Sequence, residues 1–451
     1  MMSTKKQVFK IALALIIGFM VFILSLIIFT AQQASLLGLI ALLVTLWTNE
    51  GLPLAVVSLL PIILFPAFSI LTTKETSVNY SHPIIYLFLG GFLLAIAVEK
   101  TKLHTWISNK MLNIFPPTPR GIIFSLTITA GLLSSVLSNT TTTLLLISIA
   151  LFLSNDIRLK MRFALSVAYG ASVGGILTPI GTPPNLILMG IMQDHNMEMI
   201  PFLEWVFLVF PLVFLMFFVV ASLLSIGVKD IKIDIKNEKL SLTRDQKKVF
   251  FIIAGLSFLL LLNAQIRPYW GGLGLSEAGI LLAAGLVLFM PYFNLLNWME
   301  DKAKIPFRIM FLFGAGFSIA KAFSQTGLAD EFASFLLVLT TFHPVLLILS
   351  IAMLITFTTE ITSNTALISI MLPVIYSIAE QSGVNATLFM MIATVCASYA
   401  FMLPIATAPN AIAMTSGAVK IKDMARYGFI LNLIGIGIIV IIAEFFWKGF
   451  L

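Results

Sequence analysis

Long apolar segments recur along the whole chain and are separated by short polar segments. Apolar runs occupy residues 8–29, 52–71, 201–227, 249–262 and 424–447. A helix needs about 20 residues to cross the hydrocarbon core of a bilayer, and these runs reach or approach that length. Because such runs recur from the beginning of the sequence to its end, the pattern predicts an all-α polytopic membrane protein. A soluble domain with one anchor would not show it.

The pattern predicts eleven transmembrane helices and two apolar stretches that do not cross the membrane. The spans are predicted near residues 8–30, 34–49, 52–71, 83–100, 162–190, 201–227, 249–266, 277–294, 306–325, 387–418 and 424–447. The other two stretches, 121–153 and 343–380, are each interrupted by the triplet Ser-Asn-Thr, and we interpret them as re-entrant hairpins. The first run is longer than the apolar part of a secretory signal and lacks a small-residue cleavage site, so we interpret it as a retained span.

The two halves of the chain repeat each other at one constant offset, the offset that places Ser138 on Ser363. Residues 138–140 and 363–365 both read Ser-Asn-Thr. At this repeat offset, residues 177–187 fall on residues 402–412 with six of eleven positions identical. Eight positions around residue 95 also meet the same residue types in the second half. These ungapped matches at one offset indicate an internal duplication.

The distribution of basic residues assigns each segment to a side of the membrane. With the N-terminus in the cytoplasm and both hairpins not crossing, 23 of the 27 Lys and Arg residues fall on the cytoplasmic side and three fall outside. Such a bias follows the positive-inside rule. The same sorting makes hairpin 121–153 face the cytoplasm and hairpin 343–380 face outward. Each repeat then contains five crossings, an odd number, so we expect the second repeat to be inverted relative to the first.

The domain organisation follows from the repeat and the charges. We predict an N-terminal transmembrane helix 1–33, a first repeat 34–227, a cytoplasmic linker 228–248 and a second repeat 249–451. Inverted repeats with interrupted helices that meet near the midplane are a recurrent design of secondary transporters. The protein is therefore expected to be a multi-pass protein of the cell membrane with a cytoplasmic N-terminus.

Composition excludes several other classes of protein. Hydrophobic residues make up 59% of the chain and charged residues only 10%, whereas soluble domains carry about 25% charged residues. The formal charge of +7 does not indicate nucleic-acid binding, because the basic residues lie in short loops between apolar spans. The one cysteine, Cys396, excludes an intrachain disulfide. Since no nucleophile, phosphate-loop or metal motif stands out either, the sequence favours a transporter over an enzyme.

The two Ser-Asn-Thr triplets are candidate anion-binding tips. Ser and Asn favour helix N-caps, so each triplet is expected to end one hairpin arm and to begin the next. The free N–H groups and partial positive charge of a helix N-terminus attract anions. A capped loop without a ligand is the alternative. The candidate substrate-binding residues of the two tips are Ser138, Asn139, Thr140, Ser363, Asn364 and Thr365.

Two proline motifs are predicted to interrupt spans 162–190 and 387–418. They read Gly-Thr-Pro-Pro-Asn at 181–185 and Ala-Thr-Ala-Pro-Asn at 406–410. Proline removes a backbone donor and drives the preceding residue out of the helical region, so each motif should unwind its span. Unwound carbonyls suit a sodium ion, and helix N-termini suit a carboxylate. A simple proline kink is the alternative. The candidate substrate residues here are Thr182, Pro183 and Thr407.

None of these motifs contains a charged residue. An anion with more than one charge would therefore need a balancing cation at the midplane, where charge is costly. Bound sodium is one candidate and Lys321, in the span 306–325, is another, although a lysine that reaches an interface is the alternative for Lys321. Glu360, beside the second tip, either supports the site or has a structural role.

The motifs resemble those of the divalent anion/sodium symporter family, the INDY-like dicarboxylate transporters. The resemblance rests on both triplets, the Gly-Thr-Pro-Pro-Asn break and the stretch Phe401–Asn410, and it covers nearly the whole chain. It implies carriage of di- or tricarboxylates by an elevator movement of the hairpins and broken helices against a dimeric scaffold. It also implies that Thr407 and both triplets hold the substrate carboxylates.

The resemblance further implies two sodium sites, with Na+ as the coupling ion. The first would be formed around Ser134, Ser138, Asn139 and Gly181, and the second around Thr359, Thr362, Asn364 and Ala406. Some members of the family exchange anions without sodium, so symport and exchange both stay open here. A sodium/proton antiporter is the alternative from another class, but such antiporters need midplane carboxylates, which the motifs lack.

Overall fold

The computed structural model describes residues 4–228, 241–264, 271–336 and 344–451, and these form α-helices and short 3-10 turns without any strand. Most of the predicted linker 228–248 and the first residue of the predicted hairpin 343–380 lie outside the described residues. An all-helical polytopic protein is therefore confirmed at the level of secondary structure.

Twelve α-helices precede the linker and ten follow it, counted within the described ranges. The first set is α1 (Thr4–Ser25), α2 (Ala31–Asn49), α3 (Leu54–Val57), α4 (Leu60–Ala67), α5 (Thr73–Val78), α6 (Pro83–Lys100), α7 (Leu103–Ile114), α8 (Pro119–Ser134), α9 (Asn139–Phe152), α10 (Ile157–Gly174), α11 (Pro183–Asp194) and α12 (Phe202–Ser225). The second set is α13 (Arg244–Asn263), α14 (Glu277–Val287), α15 (Trp298–Asp301), α16 (Phe307–Gln325), α17 (Leu328–Leu336), α18 (Pro344–Thr359), α19 (Asn364–Ser382), α20 (Ala386–Cys396), α21 (Ala408–Thr415) and α22 (Ile421–Phe445).

Seven helical segments of the described residues are long and apolar enough to cross a membrane. They are Lys5–Ser25, Ala31–Asn49, Thr73–Lys100, Phe202–Ser225, Phe307–Gln325, Asn364–Ser382 and Ile421–Gly449. Shorter apolar helices occupy several of the remaining predicted spans. Six of these segments correspond to predicted spans, and the seventh, Asn364–Ser382, lies in the stretch 343–380 that was predicted as a non-crossing hairpin. Of the five other predicted spans, 249–266 corresponds to the continuous helix α13, and the remaining four are divided or shortened in the structure.

Two of these differences have local causes. The predicted span 52–71 is divided into α3 and α4, since Pro61 occupies the first turn of α4, where its missing N–H costs no hydrogen bond. The predicted span 277–294 stops being helical at Val287. There the carbonyl of Leu288 accepts hydrogen bonds from the N–H groups of Leu295 and Leu296, at 3.0 and 3.1 Å, which turns the chain back on itself.

The other two divided spans are the ones that carry the proline motifs, and their predicted unwinding is confirmed. Between α10 and α11 the chain is non-helical over residues 175–182, and between α20 and α21 over residues 397–407. In both cases a proline lies at the first or second position of the following helix. The unwound segment therefore lies on the N-terminal side of the prolines, which begin a new helix rather than bend an old one.

Two pairs of apolar helices contain the triplets at their connections. Residues 135–138 join α8 to α9, and residues 360–363 join α18 to α19. The buried core around them includes side chains from α6 to α12 and from α18 to α22. A second, smaller buried cluster joins α2 with α16 and α17.

Helix α8 packs against α10 through small residues. On α10, Gly170 and Gly174 form a Gly-x-x-x-Gly pair that faces Thr127 and Gly131 of α8. A Cβ added to Gly174 would overlap the backbone of Gly131. Close backbone approach at small residues is a usual basis of helix association in membranes, where no hydrophobic driving force distinguishes helix from lipid.

We expect Gly174→Ala to destabilise the protein, because the new methyl group must separate α8 from α10. Overpacking of this kind costs about 1–3 kcal/mol. The matched control is Gly437→Ala on α22, where an added Cβ has no atom within 4 Å. Thermal unfolding of both variants in detergent should show a lower midpoint for Gly174→Ala alone. Equal midpoints would contradict this packing.

Candidate substrate and sodium site

A cavity of about 290 Å³ lies where both triplets and both helix breaks meet. The predicted residues that line it are Ser138, Asn139, Thr140, Gly181, Thr182, Pro183, Ser363, Asn364, Thr365, Ala406 and Thr407. Its apolar wall includes Phe88 and Phe92 of α6 and Leu312 of α16. Equivalent segments of the two halves, far apart in the sequence, are thus brought to one place.

Four helices begin at this cavity. Ser138 is the N-cap of α9, Thr182 of α11, Ser363 of α19 and Thr407 of α21. Each helix N-terminus carries free N–H groups and a partial positive charge equivalent to about half an elementary charge. An anion in the cavity would therefore be attracted by four dipoles without any charged side chain from these motifs.

The four N-caps differ in how much of their hydroxyl group remains free. Ser138 Oγ accepts the N–H of Thr141 at 3.1 Å, and Thr407 Oγ1 accepts the N–H of Asn410 at 3.4 Å. The hydroxyl groups of Thr182 and Ser363 make no cap hydrogen bond. A cap bond uses only the oxygen of the hydroxyl, so the proton can still be donated elsewhere. The Ser138 hydroxyl donates to Thr141 Oγ1 at 2.9 Å, whereas those of Thr182, Ser363 and Thr407 donate to no acceptor among the described residues and can donate to a carboxylate.

Each tip asparagine is in contact with a hydroxyl at the end of the preceding helix. Ser134 Oγ lies 2.5 Å from Asn139 Oδ1, and at the equivalent positions of the second half Thr359 Oγ1 lies 2.7 Å from Asn364 Oδ1. Ser134 and Thr359 are fully buried behind the cavity rather than in its lining. They therefore orient the asparagine oxygens through contacts that are buried outside the cavity lining.

The contact between Thr359 and Asn364 belongs to a cluster that has more acceptor oxygens than hydrogen-bonding protons. Thr359 Oγ1 also lies 2.9 Å from the carbonyl oxygen of Ala397, in the unwound segment. Thr359 Oγ1, Asn364 Oδ1 and the Ala397 carbonyl oxygen share the single hydroxyl proton of Thr359, so acceptor lone pairs are left over in this cluster. Such a cluster of neutral oxygens fits a hard cation such as Na+. Within the described ranges no group of three or more His, Cys, Asp or Glu residues exists to hold a different metal.

A glycine allows the corresponding approach in the first half. A Cβ on Gly175, the first residue of the unwound segment, would overlap Asn139 Oδ1. Gly181 approaches the carbonyl of Gly175 equally closely. The absence of side chains at both positions lets backbone carbonyls come near the asparagine oxygen, as a sodium site there requires.

The asparagines that end the proline motifs brace the unwound segments. Asn185 Nδ2 donates to the carbonyls of Gly175 and Thr178, at 3.3 and 2.9 Å. Asn410 Nδ2 donates to the carbonyls of Ala400 and Leu403, at 2.8 and 3.0 Å, which are the equivalent positions of the second half. In each half the Oδ1 atom of this buried asparagine has no hydrogen-bond partner among the described residues. An acceptor oxygen is thereby left over beside each break.

Glu360 holds the second break from the opposite side. Its carboxylate accepts the backbone N–H groups of Phe401, Met402 and Leu403, at 2.8 to 3.1 Å, and the side-chain amide of Asn432 at 2.7 Å. Only 3% of Glu360 is exposed. It does not line the cavity. Of the two roles open from the sequence, the structural one is therefore the one that these contacts support.

The remaining sequence candidates lie outside the cavity. The hydroxyl of Thr362 donates to the carbonyl of Thr358 at 2.8 Å, and Thr362 does not line the cavity. Lys321 is close enough to Glu75 to interact with it electrostatically, and it does not reach the cavity lining. A different cation, Arg308 of α16, lines the cavity instead. The charge sorting counts Arg308 among the 23 cytoplasmic basic residues, at the beginning of the predicted span 306–325. Its position four residues before Leu312, on the same helix face, is a signal that could have found it.

Comparison with known proteins decides the family. Residues 40–388 match the family described as citrate transporter, CitMHS. This chain belongs to that family. It is 32% identical to the sodium-dependent dicarboxylate transporter SdcS of Staphylococcus saprophyticus, over 96% of this chain and 90% of the relative. It is 31% identical to the protein of the same name from Staphylococcus aureus, over 98% of this chain and 93% of the relative.

Membership of the citrate transporter family makes the chain a transporter rather than an enzyme. Two solved structures share its fold. MtrF of Neisseria gonorrhoeae, described among antimetabolite efflux pumps, has a TM-score of 0.59 at 13% identity and covers 82% of each chain. The YdaH transporter of Alcanivorax borkumensis has a TM-score of 0.59 at 16% identity, over 83% of this chain and 87% of that chain. At these identities the likeness concerns the fold alone.

Proposed function

We propose that this protein carries di- or tricarboxylates of the succinate, malate, fumarate, 2-oxoglutarate or citrate class across the cell membrane, coupled to sodium. The single observation that supports this most is the convergence of four helix N-termini on one cavity lined by neutral donors. Such a site attracts carboxylates. The family and the sodium-dependent dicarboxylate transporters among its relatives agree with this substrate class.

Sodium symport is favoured over anion exchange. The oxygen cluster of Thr359, Asn364 and Ala397 offers a cation lone pairs from neutral groups, and the named relatives are sodium-dependent. A sodium/proton antiporter is disfavoured, because among the described residues lining the cavity no carboxylate is available to titrate. The substrate's negative charge would then be balanced by the co-transported ions.

The architecture that we propose keeps the sequence-based topology. Two inverted repeats, 34–227 and 249–451, would each contribute five spans and one re-entrant hairpin, with the N-terminus in the cytoplasm. Contacts that recur at equivalent positions of the two halves, such as those of Asn185 and Asn410, support the duplication. The resemblance of the motifs to those of the INDY-like transporters suggests an elevator movement in a homodimer as the mechanism.

We expect purified protein in liposomes to accumulate labelled succinate when a sodium gradient is imposed. Uptake should be measured separately with unlabelled succinate inside and no sodium on either side. Stimulation by sodium alone supports symport, and stimulation by internal anion alone would replace it by exchange. Labelled citrate and glutarate, tested in the same assay, rank the acids. If none of the carboxylates enters under either condition, the proposed function is wrong.

A further inference from the structure

The neutral cavity leaves one recognition problem unsolved. Helix N-termini and hydroxyl groups bind a carboxylate, but they do not by themselves distinguish an acid with one carboxylate from an acid with two. At the far end of the ligand, a site that offers only hydrogen bonds binds an uncharged acceptor, such as an amide, almost as readily as a second carboxylate. Selection for a second negative charge calls for a cation placed away from the four N-termini.

Arg308 supplies a cation to the lining of this cavity, from α16 rather than from one of the four helices capped by the motifs. It belongs to the first turn of α16, and it lines the cavity together with Ile309 and Leu312 of the same helix. Of the described residues that line the cavity, Arg308 alone is charged. Its neighbours Ile309 and Leu312 are apolar, so α16 contributes one guanidinium group to a lining that is otherwise uncharged among the described residues.

The guanidinium group has no protein partner in the part of the chain that the structure describes. Nearby cations are paired: Lys100 Nζ lies 2.6 Å from Asp301 Oδ2, and Lys304 Nζ lies 4.0 Å from Asp301 Oδ1. Neither an ion pair nor a hydrogen bond engages the side chain of Arg308 in the same region. Five N–H donors are therefore free beside a cavity built for an anion.

We propose that Arg308 binds the carboxylate of the substrate that lies farthest from the triplets, and so makes the transporter select acids with two or more carboxylates. This inference rests on the proposed function. A guanidinium group can bind a carboxylate through two parallel hydrogen bonds, which adds geometric specificity to charge. The triplets and helix N-termini would hold one end of the acid while Arg308 holds the other.

Lys321 cannot take this role from its place on the same helix. It lies thirteen residues beyond Arg308, which corresponds to about 20 Å along an α-helix. Its electrostatic partner there is Glu75. The two cations of α16 thus act at opposite ends, and Lys321 supplies a matched control on one element.

The test compares succinate with succinamate, in which one carboxylate is replaced by an amide of the same shape. Dissociation constants should be measured by calorimetry on the purified full-length protein in saturating sodium. We expect the unmodified protein to bind succinate at least tenfold more tightly than succinamate. In Arg308→Gln, succinate affinity should fall roughly tenfold to a hundredfold, the usual range for losing a charged hydrogen bond. Succinamate affinity should change by less than threefold.

Two further variants separate recognition from folding. Arg308→Lys keeps the charge but loses the two parallel hydrogen bonds, so its preference for succinate should lie between those of the unmodified protein and Arg308→Gln. Lys321→Gln should leave both constants unchanged. Equal weakening of succinate and succinamate in Arg308→Gln, or an unchanged ratio between them, would overturn the inference. Failure of the unmodified protein to bind any carboxylate would instead overturn the proposed function, so the two failures are distinguishable.

Discussion

Replacing either tip asparagine by alanine should abolish sodium-driven succinate uptake, with a loss of at least about a hundredfold. Asn139 and Asn364 line the cavity and also contact the buried hydroxyls of Ser134 and Thr359. One substitution therefore removes an amide donor for the substrate and an oxygen ligand for the ion. Because one side chain serves both the substrate and the ion, the two losses combine in each variant. Initial uptake rates in liposomes measure the effect.

The control for these variants is Asn113→Ala, the same substitution at an exposed position near the end of α7. It should transport at the normal rate. Thermal unfolding in detergent establishes that the tip variants remain folded. Normal uptake by both tip variants would show that the triplets do not bind the substrate, whatever the result for Arg308.

Glu360→Gln should be the most destabilising single change near the site. The carboxylate accepts hydrogen bonds from three consecutive backbone N–H groups and from Asn432. Glutamine turns one acceptor oxygen into an NH2 donor, which faces other donors in a region only 3% exposed. Leaving a buried polar group unsatisfied costs about 1–3 kcal/mol, and disrupting a buried charged network costs about 3–5 kcal/mol. We expect a clear fall in the thermal midpoint.

The comparison for this change is Glu300→Gln, since the Glu300 side chain is 69% exposed and lies beside Lys100. It should unfold at the normal temperature. Where Glu360→Gln protein can be purified, the sodium concentration for half-maximal uptake should rise, because residues 401–403 no longer hold the second break. An unchanged midpoint together with an unchanged sodium dependence would show that Glu360 does not hold the break.

Local patterns predicted much of this fold. Apolar runs predicted the helical membrane protein, and the prolines of the two motifs predicted the breaks at 175–182 and 397–407. Ser138 and Ser363 occupy the N-cap positions that their residue type favours. These features depend on a few consecutive residues, so the sequence contains their causes directly.

The parts that sequence could not predict depend on contacts between distant segments. The division of 52–71 and the early end of α14 come from prolines and turns within runs that are uniformly apolar. Glu360 meets backbone groups 41 to 43 residues later, which no spacing rule indicates. Because Arg308 follows Lys302 and Lys304 closely, the sequence alone suggests one more basic residue on the cytoplasmic side. Its position in the cavity lining depends on how α16 packs in the folded protein.

The clamp formed by Glu360 has a consequence for ion binding. Phe401, Met402 and Leu403 are held by the carboxylate of Glu360, which lies beside the second tip. The shape of the second break therefore does not depend on a bound cation alone. Binding to a preorganised frame avoids most of the entropy cost of ordering a loop. A frame that cannot relax also discriminates among cations by their radius. Selection of the cation by size would then depend on the buried carboxylate of Glu360, although Glu360 does not itself contact the cation.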